Sequence, residues 1–181
     1  MDVVIMAGGR GSRLGGLKKP FLKVCGKRLI DIAVKVAKGV KERRKVYICL
    51  RAEDVHNVED SDDVEVVICP GAGYVYDLDF ILNKVSFPVL ILPSDMPFLS
   101  IGIVEEFLAK AIKCEADVVT LMVCRDNICR ESGISFFRKA SGNWMNIYFE
   151  EVKELRDIDT YEDLEWAREI CVSMEEIEKR E

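Results

Sequence analysis

The stretch Asp2-Val-Val-Ile-Met-Ala-Gly-Gly-Arg-Gly-Ser-Arg-Leu-Gly-Gly-Leu-Lys-Lys-Pro20 decides how the rest of the chain is read. Asp2 to Ala7 is short, β-branched and almost wholly apolar, which predicts a strand covered on both faces in a parallel sheet. It stops at Gly8-Gly9, and the twelve residues from Gly8 to Lys19 hold five glycines and four cations. Glycines let main-chain N–H groups turn toward an anion without a Cβ in the way. Between Val3 and Ile30 the chain carries seven cations, Arg10, Arg13, Lys18, Lys19, Lys23, Lys27 and Arg28, and no carboxylate. Set against a net charge of -6 for the 181 residues, this is a local anion site and not the broad basic surface that nucleic acid requires.

Outward from this loop, apolar residues at Leu29, Ile32, Ala33, Val36, Ala37 and Val40 follow helical spacing. Strands are predicted at Val46–Leu50, Val64–Ile68, Pro88–Leu92 and Ala116–Val123, with helices from about Tyr74 to Val85 and from Ile101 to Ile112. Strands alternating with helices mean an α/β fold with a parallel sheet. Gly133–Phe137 and Trp144–Phe149 read as short strands without intervening helices, an antiparallel edge or flap. A last helix is expected after Thr160 as N-cap. The length fits one domain over 1–181. No run approaches the roughly 20 apolar residues of a membrane helix, and no leader is visible before Asp2, so a cytoplasmic location is expected. Seven cysteines, an odd number without a C-x-x-C pair, read as reduced buried thiols and argue against redox chemistry. His56 stands alone in an acidic stretch; one histidine builds no His-based zinc site, and a solvent-facing position is expected.

Two familiar phosphate motifs fail in the loop. Leu14 stands where the dinucleotide fingerprint needs its third glycine. Leu17-Lys18 follows Gly16 where the P-loop needs Lys-[Ser/Thr]. A third pattern fits: a strand, Ala-Gly-Gly-x-Gly-Ser-Arg-Leu-Gly, then Lys-Pro. It resembles the MobA-like nucleotidyltransferases, α/β enzymes that transfer a nucleoside monophosphate from a triphosphate to a phosphorylated acceptor and release pyrophosphate, and the resemblance implies a Rossmann-like, three-layer α/β fold with a mostly parallel central sheet. The resemblance implies that Ala7, Gly8, Gly9 and Gly11 approach the nucleotide, and that Arg13 and Lys19 neutralise its phosphates. It also implies magnesium, which takes one or two carboxylates and completes its shell with phosphate oxygens and water.

Leu92-Pro-Ser-Asp95-Met-Pro97 is similar to the family's metal-binding Asp-x-Pro at a strand end, which makes Asp95 a catalytic and metal-ligating candidate beside Arg13 and Lys19. Asp157-Ile-Asp159-Thr-Tyr-Glu-Asp-Leu164 resembles a late segment with a second metal ligand, Asp159, with Asp157 as fallback. It departs from the family at Tyr161, where proline is usual, and Asp-x-Asp-Thr is equally good helix-capping sequence. Cys69-Pro-Gly71-Ala-Gly73-Tyr-Val-Tyr-Asp77-Leu78 and Leu17 to Asp31 resemble the branch of the family that uses GTP to guanylylate adenosylcobinamide phosphate, which adds Gly71 and Gly73 to the nucleotide-binding candidates. Gly133-Ile134 is similar to a step lining that branch's acceptor pocket. Another phosphorylated acceptor, such as molybdopterin or a sugar phosphate, and a non-catalytic nucleotide-binding protein are the alternatives, and a homodimer is left open.

Overall fold

The computed structural model describes residues 1–9 and 14–178. Gly11 and Arg13, two of the expected nucleotide contacts, lie outside them. A seven-stranded sheet forms the centre, in the order β5-β4-β1-β6-β8-β7-β9. Its strands are β1 (Asp2–Met6), β4 (Val46–Leu50), β5 (Val64–Ile68), β6 (Val89–Pro93), β7 (Val118–Arg125), β8 (Ile128–Phe137) and β9 (Trp144–Glu150). β2 (Lys23–Val24) and β3 (Lys27–Arg28) make a separate hairpin, turned at Cys25 and Gly26, both with positive φ. The helices are α1 (Leu29–Gly39), α2 (Tyr74–Leu82), α3 (Ile101–Ala111) and α4 (Tyr161–Glu178).

Alternation along β1 explains the layers. Val3 and Ile5 point to one side, where they join Ile30, Ala33, Val36 and Ala37 of α1 and Val104, Phe107, Leu108 and Ala111 of α3. Val4 and Met6 point to the other, onto Ile81 and Leu82 of α2. The fold is therefore α/β with helices on both faces of the sheet. A third cluster, of Leu14, Leu29, Ile158, Leu164, Ala167 and Cys171, packs α4 against the end of the glycine loop.

β5, β4, β1 and β6 are mutually parallel. The chain leaves β1 toward β4 and β5 and returns through α2 to β6 on the other side, which puts a topological switch point at the carboxyl ends of β1 and β6. Open α/β sheets bind ligands there.

The last third departs from expectation. β8 is no edge: it lies inside the sheet, antiparallel to both β6 and β7, and the true edge is β9, parallel to β7. The signal that would have shown it is the turn at Asp126-Asn127, both with positive φ, which folds β7 onto β8 as a two-residue hairpin.

The cysteines also depart from expectation. Cys25–Cys171, Cys49–Cys69 and Cys124–Cys129 form disulfides, and Cys114 is free. Pairing depends on the approach of the Cβ atoms, and no sequence spacing shows that residues 146 apart lie with their Cα atoms 5.3 Å apart. Cys25–Cys171 fastens the β2–β3 hairpin to α4. In a chain-entropy account a loop of this length contributes about 4 to 5 kcal/mol. Alkylating the folded, unreduced protein should therefore modify Cys114 alone, whereas reduction should expose all seven thiols and lower the melting temperature. Several adducts before reduction would contradict the pairing.

Candidate active site

A cleft of about 650 Å³ opens at the switch point. Gly8 and Gly9 follow β1 into it, while Ala7 itself is buried, its N–H donating to the Cys49 carbonyl (2.9 Å) to extend the sheet by one residue. Gly8 has a steric reason to be glycine: a Cβ there would stand 3.0 Å from Oδ2 of Asp77. Asp77 is buried in the first turn of α2, and its Oδ1 accepts a hydrogen bond from Gly71 N (2.8 Å). One carboxylate thus sets the distance between two glycine loops. Gly71, Ala72, Gly73 and Tyr74 line the facing wall, where the N-terminus of α2 directs its positive end into the cleft.

Lys19 enters from the short helical turn Lys19–Phe21, which Pro20 starts well because it needs no N–H donor there. Its side chain is 14% exposed, and its Nζ donates to Oδ1 of Asp159 and lies 3.7 Å from Oδ2 of Asp95. Lys18, with a side chain 45% exposed, points elsewhere. It pairs with the buried carboxylate of Asp54, which Arg51 also holds (3.1 Å).

Asp95 follows β6 directly. The neighbouring Ser94 is buried and donates its hydroxyl to the Met6 carbonyl (2.9 Å), locking the ends of β1 and β6 together. The backbone carbonyl of Asp95 accepts from Ile158 N (2.9 Å), and Ile158 is fully buried. That bond and that side chain pin the segment between them, so oxygens of Asp95, Asp157 and Asp159 lie within 4.8 Å of one another. Burial pushes the Asp95 carboxyl up to about 6, with Asp157 and Asp159 adding to the rise and Lys19 opposing it. Three carboxylates and one ammonium leave a net negative, all-oxygen donor set, the chemistry that suits a hard divalent cation such as Mg²⁺. Asp157 is also held by Arg130 (2.9 Å).

In the late segment the capping role and the place beside Asp95 fall to different residues. Asp163, not Asp159, is the capping carboxylate: it accepts from the N–H groups of Asp159 (3.2 Å) and Thr160 (2.9 Å) and from Arg156 (3.0 Å), while its own N–H donates to Thr160 Oγ1 (3.3 Å). Burial alone would raise its pKa, but these hydrogen bonds together hold it below the ordinary carboxylate value. Asp159 is left facing Lys19. Tyr161, the departure from the family pattern, donates its hydroxyl to the Leu14 carbonyl (3.4 Å) and so closes the far end of the glycine loop, where Gly15 and Gly16 turn with positive φ. His56 is exposed and far from these groups in the chain's short helical turn Ala52–Asn57.

The cleft also contains residues that sequence reasoning did not single out: Tyr74, Glu131 and Ser132 line it with Gly133. Gly133 sits with positive φ where β8 slips register against β7, between the pairs Thr120–Ser135 and Met122–Glu131. The irregularity turns this strand's backbone toward the cleft beside Pro93, as bulges near functional sites do. Its neighbour Ile134 is buried and does not face the cleft. Tyr74 was legible as part of a motif; Glu131 carried no local signal.

Solved structures of the same fold include a CMP:2-keto-3-deoxy-manno-octonic acid synthetase complexed with CTP (TM-score 0.76, 16% identity, 95% of this chain and 98% of that one). Another is molybdopterin-guanine dinucleotide biosynthesis protein A from Archaeoglobus fulgidus (TM-score 0.71, 18% identity, 96% of this chain and 100% of that one). The model of the MobA-like NTP transferase domain matches residues 3–130, and the chain belongs to that family. The chain is also similar to the adenosylcobinamide-phosphate guanylyltransferase of Methanocaldococcus jannaschii, 34% identical over 103 residues. That match covers 53% of this chain, and the chain spans about half the length, 52%, of the curated relative it matches.

The two adjacent lysines give a discriminating test of the geometry. Lys19→Ala should lower turnover by roughly 10²–10³, the usual consequence of losing a charge-assisted contact in the transition state. Lys18→Ala should leave turnover within a few-fold and lower the melting temperature, because Asp54 then keeps only Arg51. Equal losses of activity in steady-state assays would contradict the placement of Lys19.

Proposed function

We propose that this protein transfers GMP from GTP to adenosylcobinamide phosphate and releases pyrophosphate, a step in cobalamin nucleotide-loop assembly or salvage. The observation that carries the reading is the convergence in one cleft of Gly8, Gly9, Gly71, Gly73, Lys19 and the three aspartates, in a chain similar to a guanylyltransferase of that kind. GTP as donor implies a compartment that supplies nucleotides, the cytoplasm. Disulfides are rare there in mesophiles but are tolerated inside hyperthermophiles.

In this reading the whole of 1–181 acts as one catalytic unit. Gly8 and Gly9 bring backbone against the nucleotide, and Arg13 neutralises its phosphates. Gly71 and Gly73 hold the opposite side. The acceptor is a phosphate ester that is already anionic at neutral pH, so no general base is needed. One of its oxygens attacks the α-phosphorus of GTP. The new O–P bond forms as the bond from the α-phosphorus to its β-bridging oxygen breaks, and pyrophosphate leaves with the electron pair. Catalysis reduces to alignment and to neutralising charge. Lys19 does the neutralising in this reading: its ammonium, beside Asp159 and Asp95, exchanges a carboxylate for a phosphate oxygen. A divalent cation bound by Asp95 and Asp159, with Asp157 beside them, would supply Lewis-acid neutralisation of the triphosphate.

Mass analysis of products after incubation with GTP, Mg²⁺ and each of adenosylcobinamide phosphate, molybdopterin and a sugar phosphate tests the reading. It predicts adenosylcobinamide-GDP and pyrophosphate from the first alone; guanylylation of molybdopterin alone would overturn the acceptor assignment. Asp95→Asn should nearly abolish turnover at saturating Mg²⁺ while the circular-dichroism spectrum stays unchanged. Activity within a few-fold of wild type would reduce Asp95 to a turn residue.

A further inference from the structure

The strand order divides the two sides of Asp95. The glycine loops stand at the ends of β1 and β5, on one side of β6; on the other side come β8, β7 and β9. A donor lodged against the glycine loops leaves the second approach for the acceptor, across these three strands.

Register shows what that approach presents. Glu131 of β8 pairs with Met122 of β7, and Met122 pairs with Tyr148 of β9. With strands about 4.8 Å apart, the row from Glu131 to Tyr148 is about 10 Å long. It begins in the cleft, since Glu131 lines it. All three side chains share the face opposite α3, because Leu121, Val123 and Phe149 occupy the α3 side. This end of the face is open: Tyr148 is 61% exposed, Glu131 is exposed and Met122 half-buried. Across the cleft, Tyr74 is 50% exposed beside exposed Val75 and Tyr76. The next row back is closed at β8 and β7, where Thr120 and Ser135 are buried and hydrogen-bonded to each other (3.0 Å), and carries the exposed Asn146 on β9. Beyond it Trp144 leans edge-on against Phe137.

Resting on the functional reading above, we infer that the row Glu131–Met122–Tyr148, faced by Tyr74, is the platform on which the body of the phosphorylated acceptor lies, and that this body is broad and largely apolar. A thioether and two phenol rings offer polarizable surface with few fixed hydrogen-bond directions, which suits a wide ring system. A small sugar phosphate would leave the row untouched. Met122 and Tyr148 are thus specificity-determining residues, removed from the reacting atoms.

Steady-state kinetics of wild type, Met122→Ala, Tyr148→Ala, Tyr148→Phe and Trp144→Ala with GTP and each of the three acceptors decide the point. Met122→Ala and Tyr148→Ala should each raise the KM of the acceptor about ten-fold, the scale of a lost ring or thioether contact, with the KM for GTP unchanged. Tyr148→Phe and Trp144→Ala should behave as wild type. If wild type guanylylates adenosylcobinamide phosphate and the alanine variants match it, the platform is overturned and the functional reading stands. Turnover of molybdopterin alone, with its KM raised in those variants, keeps the platform and removes the proposed acceptor. A preference for the sugar phosphate, or turnover of no acceptor, overturns both.

Discussion

Everything in the cleft depends on holding three carboxylates together against their own repulsion. At separations under 5 Å like charges repel strongly wherever water is thin, and each would escape if its backbone were free. Two constraints prevent this. The carbonyl of Asp95 accepts from Ile158 N (2.9 Å), and the fully buried side chain of Ile158 is seated in the cluster formed by Leu14, Leu29 and α4. Repulsion is therefore balanced by hydrophobic burial and a backbone hydrogen bond some distance from the charges themselves, with Lys19 at Asp159 and Arg130 at Asp157 as counter-ions. A site arranged in this way favours any ligand that brings positive charge to the aspartates and negative charge to the lysine. A metal-bound triphosphate brings both.

The remaining features serve the same arrangement. Ser94 ties β6 to β1, Asp77 fixes the spacing of Gly8 and Gly71, and Tyr161 fastens the end of the glycine loop to the start of α4. Cys25–Cys171 adds a covalent tie between that same helix and the hairpin that follows Lys19. The two halves of the charged site, Lys19 from the N-terminal part of the chain and Asp159 from its C-terminal part, are thus joined by packing, hydrogen bonds and one disulfide.

Much of this was legible in the sequence because it is local. The apolar run of β1, the helical stripe of α1 and the strand before Asp95 follow from periodicity, and the glycine loop's place at a strand end follows from the run that precedes it. What was not legible is long-range. No spacing shows that Lys18 meets Asp54, that six cysteines pair, or that Asp163 and not Asp159 takes the capping role. β8 was misplaced for a related reason: a strand inserted antiparallel between two others has the same apolar alternation as an edge strand, and only the Asp126-Asn127 turn distinguishes them. Of the five aromatics in 133–149, periodicity could not separate the buried Phe136, Phe137 and Phe149 from the exposed Trp144 and Tyr148, since the side each faces is set by register.

The most direct measurement is crystallographic: anomalous scattering from Mn²⁺ in crystals grown with a non-hydrolysable GTP analogue. The account predicts a peak about 2.2 Å from carboxylate oxygens of Asp95 and Asp159, with the triphosphate between them and Gly8-Gly9 and with Lys19 Nζ moved onto a phosphate oxygen. A manganese peak away from Asp95, or a nucleotide bound outside this cleft, would contradict it.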